Sequence, residues 1–130
     1  MIVPNNGDQT VSVIDVQSHT LVATLPAGTD MTGVNFGNDG KKGYVISRGT
    51  SQVFMYDFSA LKNTGQLDMG EGARLETAST TPAGTKIYVA SSSDNSLYVI
   101  DVQSDRVKQI KGVGSFPWGV SIYKGQNYCH

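Results

Sequence analysis

The sequence predicts an all-β fold assembled from repeated four-stranded antiparallel units, and three observations carry that prediction. The first is an internal repeat. TVSVIDVQSHTLVATLPAG (10–28) recurs as SLYVIDVQSDRVKQIKGVG (96–114), with a weaker copy, QVFMYDFSALKNTGQLDMG (52–70), between them. The second is spacing. Asp15, Asp57 and Asp101 stand 42 and 44 residues apart, and a glycine follows each by 13 residues, at Gly28, Gly70 and Gly114. The third is a hydrophobic period of two rather than 3.6, the mark of a strand with one side chain on each face in turn.

Within the first unit Val11, Val13 and Asp15 share one face and Ser12 and Ile14 the other; Leu97, Val99 and Asp101 oppose Tyr98 and Ile100 in the same way. Strands are expected over Leu75–Ser79, Lys86–Ala90, Leu97–Val102 and Val107–Ile110, separated by turns at Pro82-Ala83-Gly84, Ser93-Asp94-Asn95 and Gln103-Ser104-Asp105. Asn38-Asp39-Gly40 is the matching first turn one unit earlier, where Asp-Gly suits positive φ. No window shows a helical stripe, and Phe58–Asn63 is the one place where a helical turn fits. Four strands in a period of about 40–45 residues are the signature of a β-propeller blade. The fold class expected is therefore a partial β-propeller, with repeat units over about 1–42, 43–86 and 87–130.

The repeats also carry a resemblance. Val3-Pro4-Asn5, Val11-Ser12-Val13-Ile14-Asp15, Leu25-Pro26-Ala27-Gly28 and Gly33-Val34 recur at Tyr88-Val89, Val99-Ile100-Asp101, Val113-Gly114 and Gly119-Val120. This pattern resembles the YVTN-type β-propeller repeat of bacterial and archaeal surface or periplasmic proteins. The middle copy departs most, with Leu75-Glu76 where the others have Gly-Val. The resemblance implies a periplasmic or extracellular setting. It is also shared with lactonase-type hydrolases and with haem-d1 or quinone-associated propellers, which implies enzymes and cofactor proteins among similar folds.

Set on that pattern, the chain begins at the second strand of a blade near Ile2 and runs through full blades over Met31–Met69 and Ala73–Ile110. It then enters a further inner strand at Trp118–Ile122 and part of the next at Asn127–His130. Propellers close with about four to eight blades, so about three units form an open arc. Two completions are expected: the remaining blades of a longer chain, or self-association in which a second copy supplies them.

Composition removes several function classes. Ten Lys plus Arg against 11 Asp plus Glu give a net charge of −1, which offers no basic field for nucleic acid. No apolar run approaches the roughly 20 residues of a membrane helix, and MIVPNNGDQT reads as no signal peptide. One cysteine, Cys129, leaves no intrachain disulfide and no Cys-based zinc site. Cys129-His130 lacks the earlier cysteine that haem attachment requires, since Gln126 stands there. Asp15, Asp57 and Asp101 lie a blade apart, so each is expected to bond local backbone N–H groups rather than share a metal. Ser91–Asn95 and Asn5–Asp8 are oxygen-rich but lack a bidentate Glu, and His19 is expected in an exposed turn. No catalytic residue, metal or cofactor is assigned from these motifs.

The informative residues break the repeat on the inner strands, which line a propeller's channel. Arg74, Glu76 and Trp118 sit there, and Arg48, in the loop Ser47–Thr50, is a lesser rim residue. An aromatic beside an Arg/Glu pair can hold a polar ligand by stacking and hydrogen bonds. The alternative is that Arg74 and Glu76 pair with each other while Trp118 packs between blades. The expected function is a binding or scaffold module for a protein or small-molecule ligand at the channel rim; the alternative is a fragment of a propeller enzyme or cofactor-associated protein.

Overall fold

A computed structural model describes residues 1–127. Strands β1 (Ile2–Asn5), β2 (Thr10–Asp15) and β3 (Thr20–Pro26) form the first sheet. The second holds β4 (Met31–Gly37), β5 (Lys42–Ser47), β6 (Gln52–Asp57) and β7 (Lys62–Asp68) in chain order. The third holds β8 (Leu75–Thr80), β9 (Lys86–Ser91), β10 (Ser96–Asp101) and β11 (Val107–Lys111), with the short β12 (Gln126–Asn127) added on the free edge of β8. Every pairing is antiparallel between chain neighbours except β12 with β8. The four strands expected between Leu75 and Ile110 form within one or two residues of their expected limits.

Side chains alternate across each sheet because successive residues of a pleated strand face opposite ways. On β2, Val11 and Val13 are buried, while Ser12 and Ile14 occupy the other face and are half-buried. Stacking three such sheets encloses two apolar slabs. One joins the first and second sheets through Ile2, Val11, Met31, Val45 and Tyr56. The larger joins the second and third through Tyr44, Ile46, Val53, Leu75, Ile87, Val89 and Ile100. A central sheet apolar on both faces, flanked by sheets with one covered face each, is an open arc of propeller blades.

The repeated Asp closes a turn in all three sheets. Asp15 Oδ1 accepts the amides of Gln17 and Ser18, at 2.8 and 3.0 Å. Asp57 Oδ1 accepts those of Ser59 and Ala60 at the same distances. Asp101 Oδ1 accepts those of Gln103 and Ser104, at 3.1 and 2.9 Å. The residue four places after each Asp takes the left-handed conformation: His19 (φ 54°), Leu61 (φ 51°) and Asp105 (φ 55°). The repeated glycines have unlike reasons. Gly70 and Gly114 need positive φ (102° and 128°). Gly28 does not, but a Cβ there would collide with Ser47 and lie 2.8 Å from Phe54 Cε2.

Three expectations change. Phe58–Asn63 forms no helical turn; it is the Asp57 turn followed by β7. The only helical element among the described residues is a 3₁₀ turn at Asn38–Gly40, whose φ angles are 48°, 54° and 80°. Trp118–Ile122 is not an inner strand. It lies over β8, where Thr77 Oγ1 donates to the Trp118 carbonyl and accepts the Val120 amide, both at 3.3 Å. A strand needs a ladder partner. This segment makes no ladder of its own and runs against β8, and Gln126 and Asn127 pair with Thr80 and Ser79. The expected strand over 127–130 extends, with Cys129 and His130, outside the described residues.

Candidate functional site

The loops entering β4 and β8 and the β5–β6 loop converge at one end of the inner strands. Glu76, on β8, is the one buried carboxylate among the described residues, at 3% exposure. Its Oε1 accepts Ser92 Oγ at 2.7 Å and Arg74 Nε at 2.9 Å; its Oε2 accepts Arg48 Nη1 at 3.0 Å. Arg48 turns its other edge to Asp30, giving Nε to Oδ2 and Nη2 to Oδ1 at 2.6 and 3.0 Å. This two-point fork uses the planar guanidinium as lysine could not. The result is a chain Asp30–Arg48–Glu76–Arg74 that ties the second sheet to the third, with two charges of each sign.

Burial by itself would raise the Glu76 carboxyl's pKa; the hydrogen bonds from Ser92, Arg74 and Arg48 outweigh that and hold it below its ordinary value. The bonds from Arg48 likewise lower Asp30 against a smaller opposing effect of burial. Glu76 is therefore held in its ionised form by three hydrogen bonds. That suits a fixed anchor and not a group that exchanges protons with a substrate.

Beside this chain lies a cavity of about 350 Å³ lined by Asn6, Asp30, Thr32, Arg48, Glu76 and Trp118, among others. Thr32 Oγ1 donates to the Glu76 carbonyl at 2.7 Å, holding β4 against β8. Asn6 bridges from the first sheet: its Oδ1 accepts the Met31 amide at 2.7 Å and its Nδ2 donates to the Met31 carbonyl at 3.3 Å. The Trp118 side chain is 54% exposed and forms one wall. A second cavity, about 370 Å³, opens at the other end of β4 between Asn38, Asp39, Lys42, Thr85 and Asp101.

The structure thus places Arg48, Glu76 and Trp118 around one cavity and joins Arg74 to it through Glu76. Arg74 and Glu76 do pair, but Arg48 completes the arrangement, so it is more than a side contributor. Trp118 is exposed rather than packed between blades. Asp30, Asn6 and Ser92 were not singled out from sequence. Asp30 occupies the loop entering β4 as Arg74 occupies the loop entering β8, so the rim position was the available signal. Ser92 offered none, standing in an ordinary serine-rich turn. In the Ser91–Asn95 turn Asp94 is engaged within its own sheet, accepting Tyr98 Oη at 2.6 Å and Ser96 Oγ at 2.7 Å.

Fold and site together define a segment of a β-propeller with a polar cleft at one rim. No protein-family model matches the sequence, and no curated protein does. Solved structures do match. Kuenenia stuttgartiensis hydrazine synthase superposes with a TM-score of 0.75 at 18% identity, over 89% of this chain and 33% of that one. Dihydro-heme d1 dehydrogenase NirN in complex with DHE superposes with a TM-score of 0.70 at 23% identity, over 97% of this chain and 25% of that one. The chain therefore spans about a third and a quarter of these propeller-type proteins. The likeness shows the propeller fold; the YVTN-type resemblance rests on its residues alone.

Proposed function

We propose that the chain is a propeller binding module that holds a polar ligand with a flat face in the rim cleft, at the cell envelope. The observation that carries this reading is the division of labour in the cleft. Glu76, Arg48 and Asp30 are hydrogen-bonded to one another and make a fixed floor. The exposed Trp118 ring and the half-exposed Arg74 guanidinium are left to meet a ligand by stacking and charge. The envelope setting is supported by the YVTN-type resemblance.

Trp118 is the only tryptophan in the sequence, so its emission reports directly on the cleft. Titration with carboxylate-bearing aromatics, oligosaccharides and short peptides is expected to find a class that shifts the emission saturably. Arg74→Ala should weaken that binding about tenfold, as expected for one charged contact of about 1.4 kcal/mol. If no class shifts Trp118, or Trp118→Phe binds equally well by calorimetry, this reading fails.

A second reading is that the chain belongs to a larger propeller enzyme or cofactor-associated protein, either lactonase-like or of the haem-d1 or quinone type. It is supported by the fold likeness to hydrazine synthase and to a dihydro-heme d1 dehydrogenase, of which this chain spans only part. Quenching of Trp118 by a tetrapyrrole, but by none of the other ligands, would favour it.

A further inference from the structure

The two inter-sheet junctions share one device. In the second sheet Lys42 stands opposite Asp57 on the neighbouring strand, yet its ammonium reaches across to the third sheet. There Lys42 Nζ donates to both carboxylate oxygens of Asp105 at 3.1 Å and to the Val102 carbonyl at 2.8 Å. Tyr44 Oη donates to Asp105 Oδ1 at 3.1 Å. Asp105 is the left-handed residue of the β10–β11 turn, so a lysine and a tyrosine on one blade clasp the turn of the next.

The first junction is the apolar version. Ile2 takes the place of Tyr44, and the turn residue facing it is Leu61; both line one cavity. Receiver and turn residue therefore match in chemistry at both junctions. The third sheet carries the polar receiver again, with Lys86 and Tyr88 in the register of Lys42 and Tyr44. Lys86, which faces no such turn among the described residues, folds back on its own-sheet partner Asp101 at 2.8 Å. Around it the same face presents Val99, Lys108 and Ile110 along an open hollow of about 580 Å³. Tyr44 and Val53 are fully buried on the second sheet, whereas their counterparts Tyr88 and Leu97 are only half-buried.

We infer that this outer face of the third sheet docks a further propeller blade whose third-to-fourth-strand turn carries a carboxylate at its left-handed position, clasped by Lys86 and Tyr88. Charge complementarity and continuity with the Lys42–Tyr44–Asp105 junction commit the occupant to that chemistry. An unaltered second copy does not meet it, because the corresponding residue of the first sheet is His19.

The chain itself supplies the test blade. His19→Asp puts into the first turn the residue that the third turn already holds at nearly the same φ (54° against 55°), so the turn can form. Circular dichroism would check that both proteins are folded. Sedimentation velocity at matched concentrations is expected to show His19→Asp self-associating at least tenfold more tightly than the unaltered chain. The gain should vanish when Lys86→Ala is added and shrink in high salt. Equal association by the unaltered and His19→Asp chains, whether both monomeric or both dimeric, would overturn the inference. So would a gain that survives Lys86→Ala. The same readout with Tyr88→Phe separates the two receivers, and a partial loss is expected.

Discussion

Replacing Glu76 by alanine removes the acceptor at the centre of the Asp30–Arg48–Glu76–Arg74 chain, and its cost can be assembled from the contacts. Ser92 is 4% exposed and would lose its acceptor, a loss of about 1–3 kcal/mol for a buried donor. Arg48 keeps both bonds to Asp30 and loses one charged hydrogen bond, about 1.5 kcal/mol. Arg74's side chain is 54% exposed, so its share is below about 1 kcal/mol. Together these predict a destabilisation of about 3–4 kcal/mol, a large part of the 5–15 kcal/mol typical of a domain. With a urea m-value of about 2 kcal/mol/M, the midpoint should fall by about 1.5–2 M. Glu76→Gln keeps the volume and one acceptor but turns donors toward an arginine, and should lose about 2 kcal/mol. A loss under about 1 kcal/mol for the alanine variant, or equal losses for both, would refute the view that this carboxylate ties the second and third blades together.

Three other outcomes follow from the same structure. Glu76 and Asp30 have folded-state pKa values below the ordinary 4.5 and 3.8, so the stability they bring is complete above those values and is lost as pH falls through the lowered ones. Urea midpoints should therefore decline below about pH 4.5, and Glu76→Gln should flatten that decline. A double-mutant cycle on Lys42 and Asp105, each side chain about a third exposed (32% and 33%), should give a coupling of about 0.5–1 kcal/mol that salt weakens; no coupling would deny the inter-blade clasp. Gly28→Ala should cost about 2 kcal/mol in thermal or urea unfolding, since its Cβ has to displace the buried Ser47 and the Phe54 ring.

Most of the fold was legible because it is periodic. One repeat with a hydrophobic period of two places strands, turns and faces at once, and the Asp15, Asp57 and Asp101 turns form as their chemistry requires. Legibility ended where periodicity did. Trp118–Ile122 continues the pattern of Thr32–Asn35, yet a strand is a property of a pair, and the segment rests on β8 instead. The site was half legible. Arg74, Glu76 and Trp118 stood out by breaking the repeat, whereas Asp30 and Ser92 acquire their roles only through loops that sequence separation hides. Glu76 and Ser92 are 16 residues apart and meet through the pairing of β8 with β9, while Glu76 and Arg48 are 28 apart and are joined by the way the sheets stack. Nothing in the sequence distinguished Lys42 from Lys86; the presence or absence of a neighbouring turn does.

The central claim is that these sheets stack radially, with the inner strands β4 and β8 side by side. Nuclear Overhauser contacts between the Asn35 side-chain amide and Thr80 test it most directly, because Asn35 Nδ2 lies 3.1 Å from Thr80 Oγ1 across 45 residues of sequence. The account predicts that cross-peak, together with contacts from Thr32 to Glu76 and none from Val11 to Ile87. Direct contacts between Val11 and Ile87, with the Asn35–Thr80 cross-peak missing, would mean that the first and third sheets face each other and would contradict the propeller arc.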